Sequence, residues 1–447
     1  MLLRMAFLKL TLGRIVSSVS FYPVEHIRVR MELRAGMNIL QLTPRMPWPL
    51  TDGGTIGIYN ITKSLAELGH TITLVTFPLE SAPETEEAVK NISRYAKVEM
   101  VSQPLPTRGK VLLKTMFRGA YPIERRMMPE MFSLLKHLVE RERFDVVHVD
   151  HAHMGKYGLW LKREYGLPIV LREHNFEALI YERFSKTEPN PVKRAIAKIH
   201  GRRLRHEEIR FLKQFDAIAA ITEEDAAIMR DVAPNATISV IPAGVDTEFF
   251  RPSEQPEDPD RILWVGSLAW DPNYDAVRYF LTSIFPLILE GKPESKFDVI
   301  GMDSERVRKQ AARFGDRVRI LGRVPDIRDY LAHSAVLVVP LRIGGGMRMK
   351  LLDFFASGKA VVSTSIGSEG NKAKNEIHIL LRDDAESFAS AIVKLLNDLN
   401  LRVGLGQKAR ELAVSEYSWH FVASEFSAIY ETALAGATQG IIGLSRI

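Results

Sequence analysis

The chain has 447 residues, of which 46% are hydrophobic and 26% are charged, and its formal net charge is +6. This length fits two domains of roughly 200 residues each, with enough apolar side chains for two sizeable cores. Cysteine is absent, which excludes disulfides, thiolate-bound metals and a cysteine nucleophile.

The first 36 residues are apolar and basic and match no clear structural pattern. Lys9 and Arg14 interrupt the apolar run too early for a spanning helix or a secretory signal. We therefore expect 1–36 to be an N-terminal extension outside the fold, either an overlong start or a disordered tail. A membrane-surface anchor is the alternative.

From Met37 onward, apolar segments of strand length alternate with helical patterns, which predicts parallel α/β sheets. A Pro/Glu/Asp-rich stretch at 252–260 indicates a linker between two such sets. We expect a first domain at 37–245, a second at 246–418 and a C-terminal helix at 419–440. The predicted fold class is α/β, with two Rossmann-like doubly wound domains that face a central cleft.

The predicted strands share a run of apolar residues bounded by turn signals. They lie at 37–44, 71–77, 144–150, 168–174, 217–222 and 238–246 in the first domain, and at 261–267, 297–301, 318–324, 336–340 and 360–365 in the second.

A glycine-rich loop follows the strand VLVVP. Gly344, Gly345 and Gly346 are consecutive, and Arg348 and Lys350 come next, at the start of a predicted helix. Glycines let the backbone approach phosphates, a helix N-terminus offers free N–H groups, and the two cations supply charge. This layout predicts a diphosphate site, although an ordinary βαβ unit with glycine turns has the same pattern.

The segment LLDFFASGKAVV, which follows this loop, resembles the donor-binding segment of retaining glycosyltransferases of family 4, also called group 1. Those enzymes have the GT-B fold and usually carry two acidic residues eight positions apart. Asp353 matches the second, whereas Gly345 stands at the first. A sub-branch with a GGGxRxK loop shows the same loss, so the departure indicates that sub-branch. It leaves open any role that the missing carboxylate has toward the donor sugar.

The resemblance extends from Met37 to about Leu434 and implies which residues hold a nucleotide-sugar donor. Alternatives stay open for Trp270 and Arg323 as surface residues and for Glu369 as a helix cap. The implied donor-binding residues are Gly53, Gly54, Gly266, Ser267, Trp270, Asn273, Gly322, Arg323, Val324, Gly344, Gly345, Gly346, Arg348, Lys350, Asp353 and Glu369. Within this set, the backbone of 322–324 would contact the nucleobase and Glu369 the ribose. The family also implies that the C-terminal helix crosses back to the first domain.

Two residues of the first domain are the candidate catalytic groups. In the family, the strand that ends at Asp150 supplies a residue near the acceptor and the anomeric carbon of the donor. His174, at the end of the next strand, would hold hydroxyls or accept a proton from the acceptor, with a structural hydrogen-bonding role as the alternative. Glu177 is expected to cap or position.

We expect no metal. His148, Asp150, His151 and His153 lie close in sequence, but strand alternation puts only two of them on each face. The DPD tripeptide at 258–260 superficially matches a metal-binding DxD motif but lies in the predicted linker. In a GT-B enzyme the helix dipole, Arg348 and Lys350 would neutralise the leaving diphosphate without a metal.

The segment 191–215 predicts a basic amphipathic helix. It contains eight Lys or Arg residues and two Glu residues, with Ile196, Ile199, Leu204, Ile209 and Leu212 as its apolar side. A solvated face is the ordinary interpretation, and docking to an anionic membrane surface is the functional one. Nucleic acid is not an expected partner, because no recognised binding motif is present.

The sequence therefore predicts a glycosyltransferase that moves a sugar to an acceptor hydroxyl with retention, in the synthesis of a surface glycan, polysaccharide or glycolipid. The nucleotide-sugar is a co-substrate, no cofactor is expected, and the acceptor is a glycan or is lipid-linked. The expected location is cytoplasmic, with peripheral attachment to the inner face of the cytoplasmic membrane as a further option. The alternatives are a sugar-nucleotide epimerase, a phosphorylase or a non-catalytic membrane-surface binding protein.

Overall fold

The computed structural model describes residues 36–103, 105–106, 111, 115, 119–302, 305–344 and 346–444, with the backbone alone for 187 and 437–444. Except for Gly36, the predicted extension 1–36 lies outside these residues. The described chain contains a seven-stranded sheet and a six-stranded sheet. Every strand pair in both sheets is parallel, so the predicted fold class of two Rossmann-like domains is confirmed.

The strands are numbered in chain order. The first sheet contains β1 (Asn38–Leu42), β2 (Thr71–Thr76), β3 (Lys97–Met100), β4 (Val146–Asp150), β5 (Ile169–Glu173), β6 (Ala217–Ala220) and β7 (Ile238–Val240), and the second contains β8 (Asp258–Val265), β9 (Lys296–Ile300), β10 (Val318–Gly322), β11 (Ser334–Val339), β12 (Ala360–Ser363) and β13 (Leu380–Leu381).

The α-helices of the described residues connect and flank these strands. They are α1 (Gly53–Glu67), α2 (Ala82–Ile92), α3 (Tyr121–Glu124), α4 (Pro129–Arg141), α5 (Gly155–Tyr165), α6 (Ala178–Thr187), α7 (Pro191–Gln214), α8 (Glu223–Val232), α9 (Asp271–Tyr279), α10 (Phe285–Gly291), α11 (Glu305–Ala311), α12 (Arg328–His333), α13 (Met349–Ala356), α14 (Ala385–Asn397), α15 (Leu399–Tyr417) and α16 (Trp419–Leu444).

The two sheets have the same topology. The strand order is β3-β2-β1-β4-β5-β6-β7 in the first and β10-β9-β8-β11-β12-β13 in the second. Each is therefore the 3-2-1-4-5-6 order of a dinucleotide-binding sheet, with one further strand in the first. The central strands are buried on both faces, which is why they read as continuous apolar runs in the sequence.

Two strands were not predicted from the sequence. β3 (Lys97–Met100) contains two charged residues, and β13 (Leu380–Leu381) is only two residues long. Both are edge strands of their sheets, so they lack the long apolar run that marks a buried strand.

The predicted linker at 252–260 is shorter in the structure, because β8 already begins at Asp258. The carboxylate of Asp258 lies 3.0 Å from Arg261 and 3.1 Å from Lys296. Asp258 of the DPD tripeptide therefore forms ion pairs at the start of β8.

The C-terminal helix α16 packs against the first sheet. Its Phe426 and Tyr430 are buried in a core cluster that also contains Ile39 of β1 and Val146 of β4. The hydroxyl of Tyr430 lies 2.6 Å from Nδ1 of His148, and both side chains are fully buried. A chain segment that follows the second domain therefore contributes to the core of the first.

Replacing Tyr430 by Phe should destabilise the fold. The change leaves Nδ1 of His148 buried without its partner, which costs about 1–3 kcal/mol. Denaturant unfolding monitored by circular dichroism measures this, with Tyr274→Phe at a half-buried position as the matched control. An unchanged free energy of unfolding in Tyr430→Phe would contradict the role assigned to this hydrogen bond.

Candidate functional site

The candidate site lies where the strand order of each sheet reverses. These switch points are between β1 and β4 in the first sheet and between β8 and β11 in the second. Ligands of open α/β sheets bind outside the carboxyl ends of the strands at such points. The segments that leave these strand ends include the predicted residues Gly53, Asp150, Gly266 and Arg348.

Lys350 connects the loop that follows β11 to the end of β8 and the start of α9. Its Nζ donates to the backbone oxygen of Val265 at 2.8 Å and lies 3.5 Å from Oδ1 of Asn273. A Cβ at Gly266 would lie 2.9 Å from the ring of Trp264 and 3.0 Å from Nζ of Lys350, so a larger residue would crowd this ammonium. Burial, with a further contribution from the charge of Arg348, lowers the pKa of Lys350 to about 7.

Arg348 is the second cation of this loop and is only 7% exposed. Its Cζ lies 5.9 Å from the ring centroid of Trp270, so the half-exposed indole covers the guanidinium. A side chain at Gly344 would collide with this guanidinium, which explains a glycine there. Burial lowers the pKa of Arg348 and the charge of Glu369 opposes that shift. The loop therefore holds two desolvated cations that an anion would stabilise.

The two domains share a cavity of about 620 Å³. The second domain contributes Gly344, Gly346, Glu369 and Gly370, and the first contributes residues of α6, α8 and the segment after β5. A cavity of this size accommodates a small-molecule ligand. The glycine loop and the predicted ribose residue Glu369 thus face the first domain.

The Gly53–Gly54 pair forms the first two residues of α1. A Cβ at Gly53 would lie 4.0 Å from the side chain of Met349, so this turn lies close to the start of α13 in the second domain. The amide of Gly54, however, already donates to Asp52 at 2.8 Å. The N-cap side chain of Asp52 therefore occupies the amide of Gly54 but not that of Gly53.

Asp150 and His174 are in contact with each other and with Arg172, for which the sequence predicted no role. Nε2 of His174 lies 2.8 Å from Asp150 and 2.7 Å from Arg172, whose guanidinium also donates to Asp150 at 3.1 Å. Asp150 and Arg172 are opposite each other on neighbouring strands, and His174 is two positions further along the same face. Strand alternation within REHNFE was the signal that could have identified Arg172.

Burial limits which members of the Asp150–Arg172–His174 cluster can contact a ligand. Asp150 is fully buried, so in this conformation it acts on a ligand only through His174 or Arg172. Although burial opposes ionisation, Arg172, His148 and His174 together hold the pKa of Asp150 well below its usual range. Burial, reinforced by the charge of Arg172, lowers the pKa of His174 to about 4, so its ring is neutral at neutral pH. The catalytic assignment of Asp150 and His174 stays a prediction.

The histidines after β4 depart from the predicted strand pattern. β4 ends at Asp150, His151 has a φ of 81°, and the next residues form a short 3₁₀ turn. The rings of His151 and His153 stack, with centroids 3.9 Å apart. Glu177 approaches both from the start of α6, at 3.2 and 2.7 Å. Glu177 lies well beyond the strand that precedes these histidines, so the strand pattern did not group it with them.

Five further predicted donor residues lie elsewhere in the second domain or outside the described residues. Gly322 ends the edge strand β10, Arg323 and Val324 follow it, and Arg323 is exposed. Asp353 is on α13, where burial raises its pKa to about 8. Gly345 lies outside the described residues. The roles of these five residues, like those of the other predicted donor-binding residues, stay predictions.

Family models match both halves of the chain. Residues 51–249 match the model described as Glycosyltransferase Family 4, and residues 259–398 match the model described as Glycosyl transferases group 1. Together with the two-sheet fold, these matches define a GT-B glycosyltransferase. The chain belongs to the group 1, family 4-type glycosyltransferases.

Individual relatives are distant in sequence but match well over half of the chain. The MMP alpha-(1->4)-mannosyltransferase of Mycolicibacterium hassiacum is 24% identical over 86% of this chain and 96% of its own. A UDP-Gal:alpha-D-GlcNAc-diphosphoundecaprenol alpha-1,3-galactosyltransferase of Escherichia coli is 27% identical over 62% of this chain and 72% of its own. Such relatives do not favour the alternative functions of an epimerase, a phosphorylase or a non-catalytic binding protein.

Solved structures show the same fold. Sucrose-phosphate synthase from Thermosynechococcus elongatus superposes with a TM-score of 0.62 at 18% identity, covering 89% of this chain and 99% of its own. An Anabaena protein in complex with UDP and glucose gives a TM-score of 0.58 at 13% identity, covering 89% of this chain and 100% of its own.

Stability should fall as the pH falls from about 6.5 towards 4, because the unfolded chain protonates His174 well before the folded chain does. Each such histidine contributes a slope of ~1.4 kcal/mol per pH unit in this window. His153, whose pKa burial lowers to about 3, adds a second proton. His174→Gln should therefore reduce the slope of the unfolding free energy without abolishing it.

Urea titrations at pH 5 and 7 in metal-free buffer measure this slope. His206→Gln, at an exposed position on α7, is the matched control and should keep the wild-type slope. The same slope in His174→Gln and wild type would contradict a buried, neutral His174.

Proposed function

We propose that the protein transfers a sugar from a nucleotide-sugar donor to a hydroxyl of a glycan or lipid-linked acceptor, with retention of configuration. The observation that carries this proposal is the pair of desolvated cations, Arg348 and Lys350, at the switch point of the second sheet. Buried cations at the start of a helix are the chemistry that a diphosphate requires.

The donor would lie mainly on the second domain. Its diphosphate would take the place beside Lys350 and Arg348, with the Trp270 ring on the outer side. A diphosphate would keep Lys350 protonated, because a negative charge favours the ammonium that burial now disfavours. The same two cations would stabilise the diphosphate as it leaves, so the proposal includes no metal at this position and no cofactor besides the co-substrate.

The acceptor would approach from the first domain. His174 is the exposed end of the Asp150 cluster, and at a pKa of about 4 its ring is a weak base at neutral pH. It is better suited to hold an acceptor or donor hydroxyl than to remove its proton. In the transfer, the bond between the anomeric carbon and the diphosphate breaks, a bond to the acceptor oxygen forms and the hydroxyl proton is released.

Two similarities support the choice of substrates. The Anabaena neighbour is a complex with UDP and glucose, and the Escherichia coli relative is named for a galactose transfer to a diphosphoundecaprenol-linked sugar. For this chain we accordingly propose a nucleoside diphosphate sugar and an acceptor of the glycan or lipid-linked class. Retention is supported by the resemblance to the retaining family.

A lipid-linked acceptor would be reached from a membrane surface. Within the described residues, no helix combines the length and apolar character needed to span a bilayer. The exposed apolar patch at the α6–α7 hairpin instead offers a peripheral contact: Ile180, Phe184, Val192, Ile196 and Ile199.

This patch suits the surface of an anionic membrane. Val192 is 66% exposed, and the helix α7 that carries it has a net charge of +6. Basic residues near an anionic surface contribute about 1 kcal/mol each, and the apolar side chains can enter the headgroup region. Ile180 also lines the cavity between the domains. A lipid-linked acceptor held at this patch would therefore lie next to the proposed site.

Nucleotide binding should depend on Arg348 and Lys350. At about 100 times its dissociation constant, the matching nucleoside diphosphate should stabilise the fold by roughly 2.7 kcal/mol. The double variant Arg348→Ala/Lys350→Ala should lose this stabilisation, because it removes both cations. A thermal-shift panel of UDP, GDP, ADP, CMP and their sugar conjugates measures it.

The control for this panel is Arg306→Ala/Lys309→Ala on the exposed face of α11, which should respond like the wild type. If no nucleotide stabilises the wild type, or if the Arg348/Lys350 double variant responds equally, the proposed donor site is wrong.

Binding to anionic vesicles should depend on the apolar patch. Val192→Ser/Ile196→Ser/Ile199→Ser should weaken cosedimentation with vesicles that contain phosphatidylglycerol by at least about tenfold, since each buried aliphatic side chain contributes ~1.5 kcal/mol or more. The control Leu399→Ser/Val403→Ser changes two side chains on α15 that are 57% and 56% exposed, and should bind like the wild type. Equal binding to uncharged phosphatidylcholine vesicles would refute the proposed electrostatic contact.

A further inference from the structure

Three side chains of the first domain converge in a way that the transfer reaction does not use. Nε2 of His151 lies 3.2 Å from one oxygen of Glu177, and Nε2 of His153 lies 2.7 Å from the other. All three ligand atoms lie within 4.8 Å of one another. The backbone explains the convergence: the positive φ of His151 ends β4, and the following 3₁₀ turn stacks the two rings.

The cluster leaves buried polar atoms without hydrogen bonds. Among the described residues, no partner reaches Nδ1 of His151, Nδ1 of His153 or Oε1 of Glu173. The Glu173 side chain is 2% exposed, and its Oε1 lies 3.7 Å from Nδ1 of His151. Each ring therefore has its Nε2 directed at Glu177 and its Nδ1 unpaired, which is the arrangement of a ring that binds an ion through Nε2 and keeps its proton on Nδ1.

We propose that His151, His153 and Glu177 bind a divalent transition-metal ion of the zinc type. Two imidazoles and one carboxylate are a ligand set that such ions favour. Glu173 would act behind the ligands, accepting the Nδ1 proton of His151 and orienting its ring, as carboxylates do for metal-bound histidines. Side chains of His151 and Glu177 are 14% and 16% exposed, so an ion can enter from solvent.

The nearby charges are compatible with a dication. Arg126 is close enough to interact with Glu177, and its positive charge opposes a metal. Its guanidinium, however, donates to the backbone oxygens of Pro44 and Pro122 at 3.0 and 2.8 Å. The carboxylate of Glu177 is itself one of the three ligands and offsets this one cation.

Such an ion would have a positioning role. It would fasten the end of β4 to the start of α6, because the histidines follow β4 and Glu177 directly precedes α6. His151 also stacks on His174, with ring centroids 4.9 Å apart. The metal would hold the ring that supports His174, while the diphosphate stays with Arg348 and Lys350 on the other domain. This proposal does not depend on the identity of the donor.

Metal binding by the purified full chain tests the proposal directly. After chelator treatment and buffer exchange, the wild type is titrated with Zn²⁺ by calorimetry, and its melting temperature is followed. We expect saturation near one Zn²⁺ per chain and a rise of about 3 °C at a hundredfold excess over Kd. Co²⁺ at the same site should show the visible absorption of a tetrahedral complex, and Mg²⁺ should not compete.

The variants His153→Asn and Glu177→Gln should lose this binding. His137→Asn and Glu140→Gln, at exposed positions of α4, are the matched controls and should keep it. Because a variant may unfold, the wild-type titration stands on its own: no saturable Zn²⁺ binding by the folded wild type overturns the proposal. Retained binding in folded His153→Asn or Glu177→Gln overturns it equally.

Discussion

The parallel direction of every strand is the constraint on which the rest of the structure depends. It places all carboxyl ends of a sheet at one edge, and the shared strand order creates one switch point in each sheet. The loops that leave β8 and β11 can then meet around Lys350, while β4 and β5 bring Asp150 and His174 together. Antiparallel pairing at any of these strands would send one of the groups to the opposite edge.

Buried charges are compensated differently in the two domains of the site. In the first domain, Asp150 and Arg172 compensate each other, so the cluster is stable without a ligand. In the second domain, the Nζ of Lys350 lies near a backbone oxygen and an amide oxygen, and burial, together with the charge of Arg348, lowers its pKa to about 7. An anionic ligand is the natural complement of the second arrangement, and this asymmetry is the reason why we propose the donor on the second domain and the acceptor on the first.

The sequence predicted the features that depend on local patterns. The long apolar runs identified the central strands, and the glycine loop with Arg348 and Lys350 was found from composition and spacing alone. The edge strands β3 and β13 were missed because β3 contains two charged residues and β13 is only two residues long, so neither has a long apolar run. Burial of Asp150 and capping of the Gly54 amide by Asp52 depend on partners that distance along the chain does not reveal.

The helix α7 shows the same limit within one element. Its apolar residues were predicted to form one side, but Leu204 and Leu212 are buried in the core of the first domain, whereas Ile196 and Ile199 are exposed. Periodicity identifies which residues are apolar together but not where the neighbouring domain surface ends. That Ile196 and Ile199 of α7 are exposed could be established only from the three-dimensional structure.

The most direct test of the central claim is the stereochemistry of the reaction at the proposed site. The enzyme is incubated with the α-linked nucleotide-sugar that stabilises it, and proton NMR at early times identifies the anomer of the sugar that is transferred or released by slow hydrolysis. A retaining transferase should give the α-anomer first, and the Arg348→Ala/Lys350→Ala variant should give none. Initial release of the β-anomer, or equal turnover by the double variant, would contradict this account.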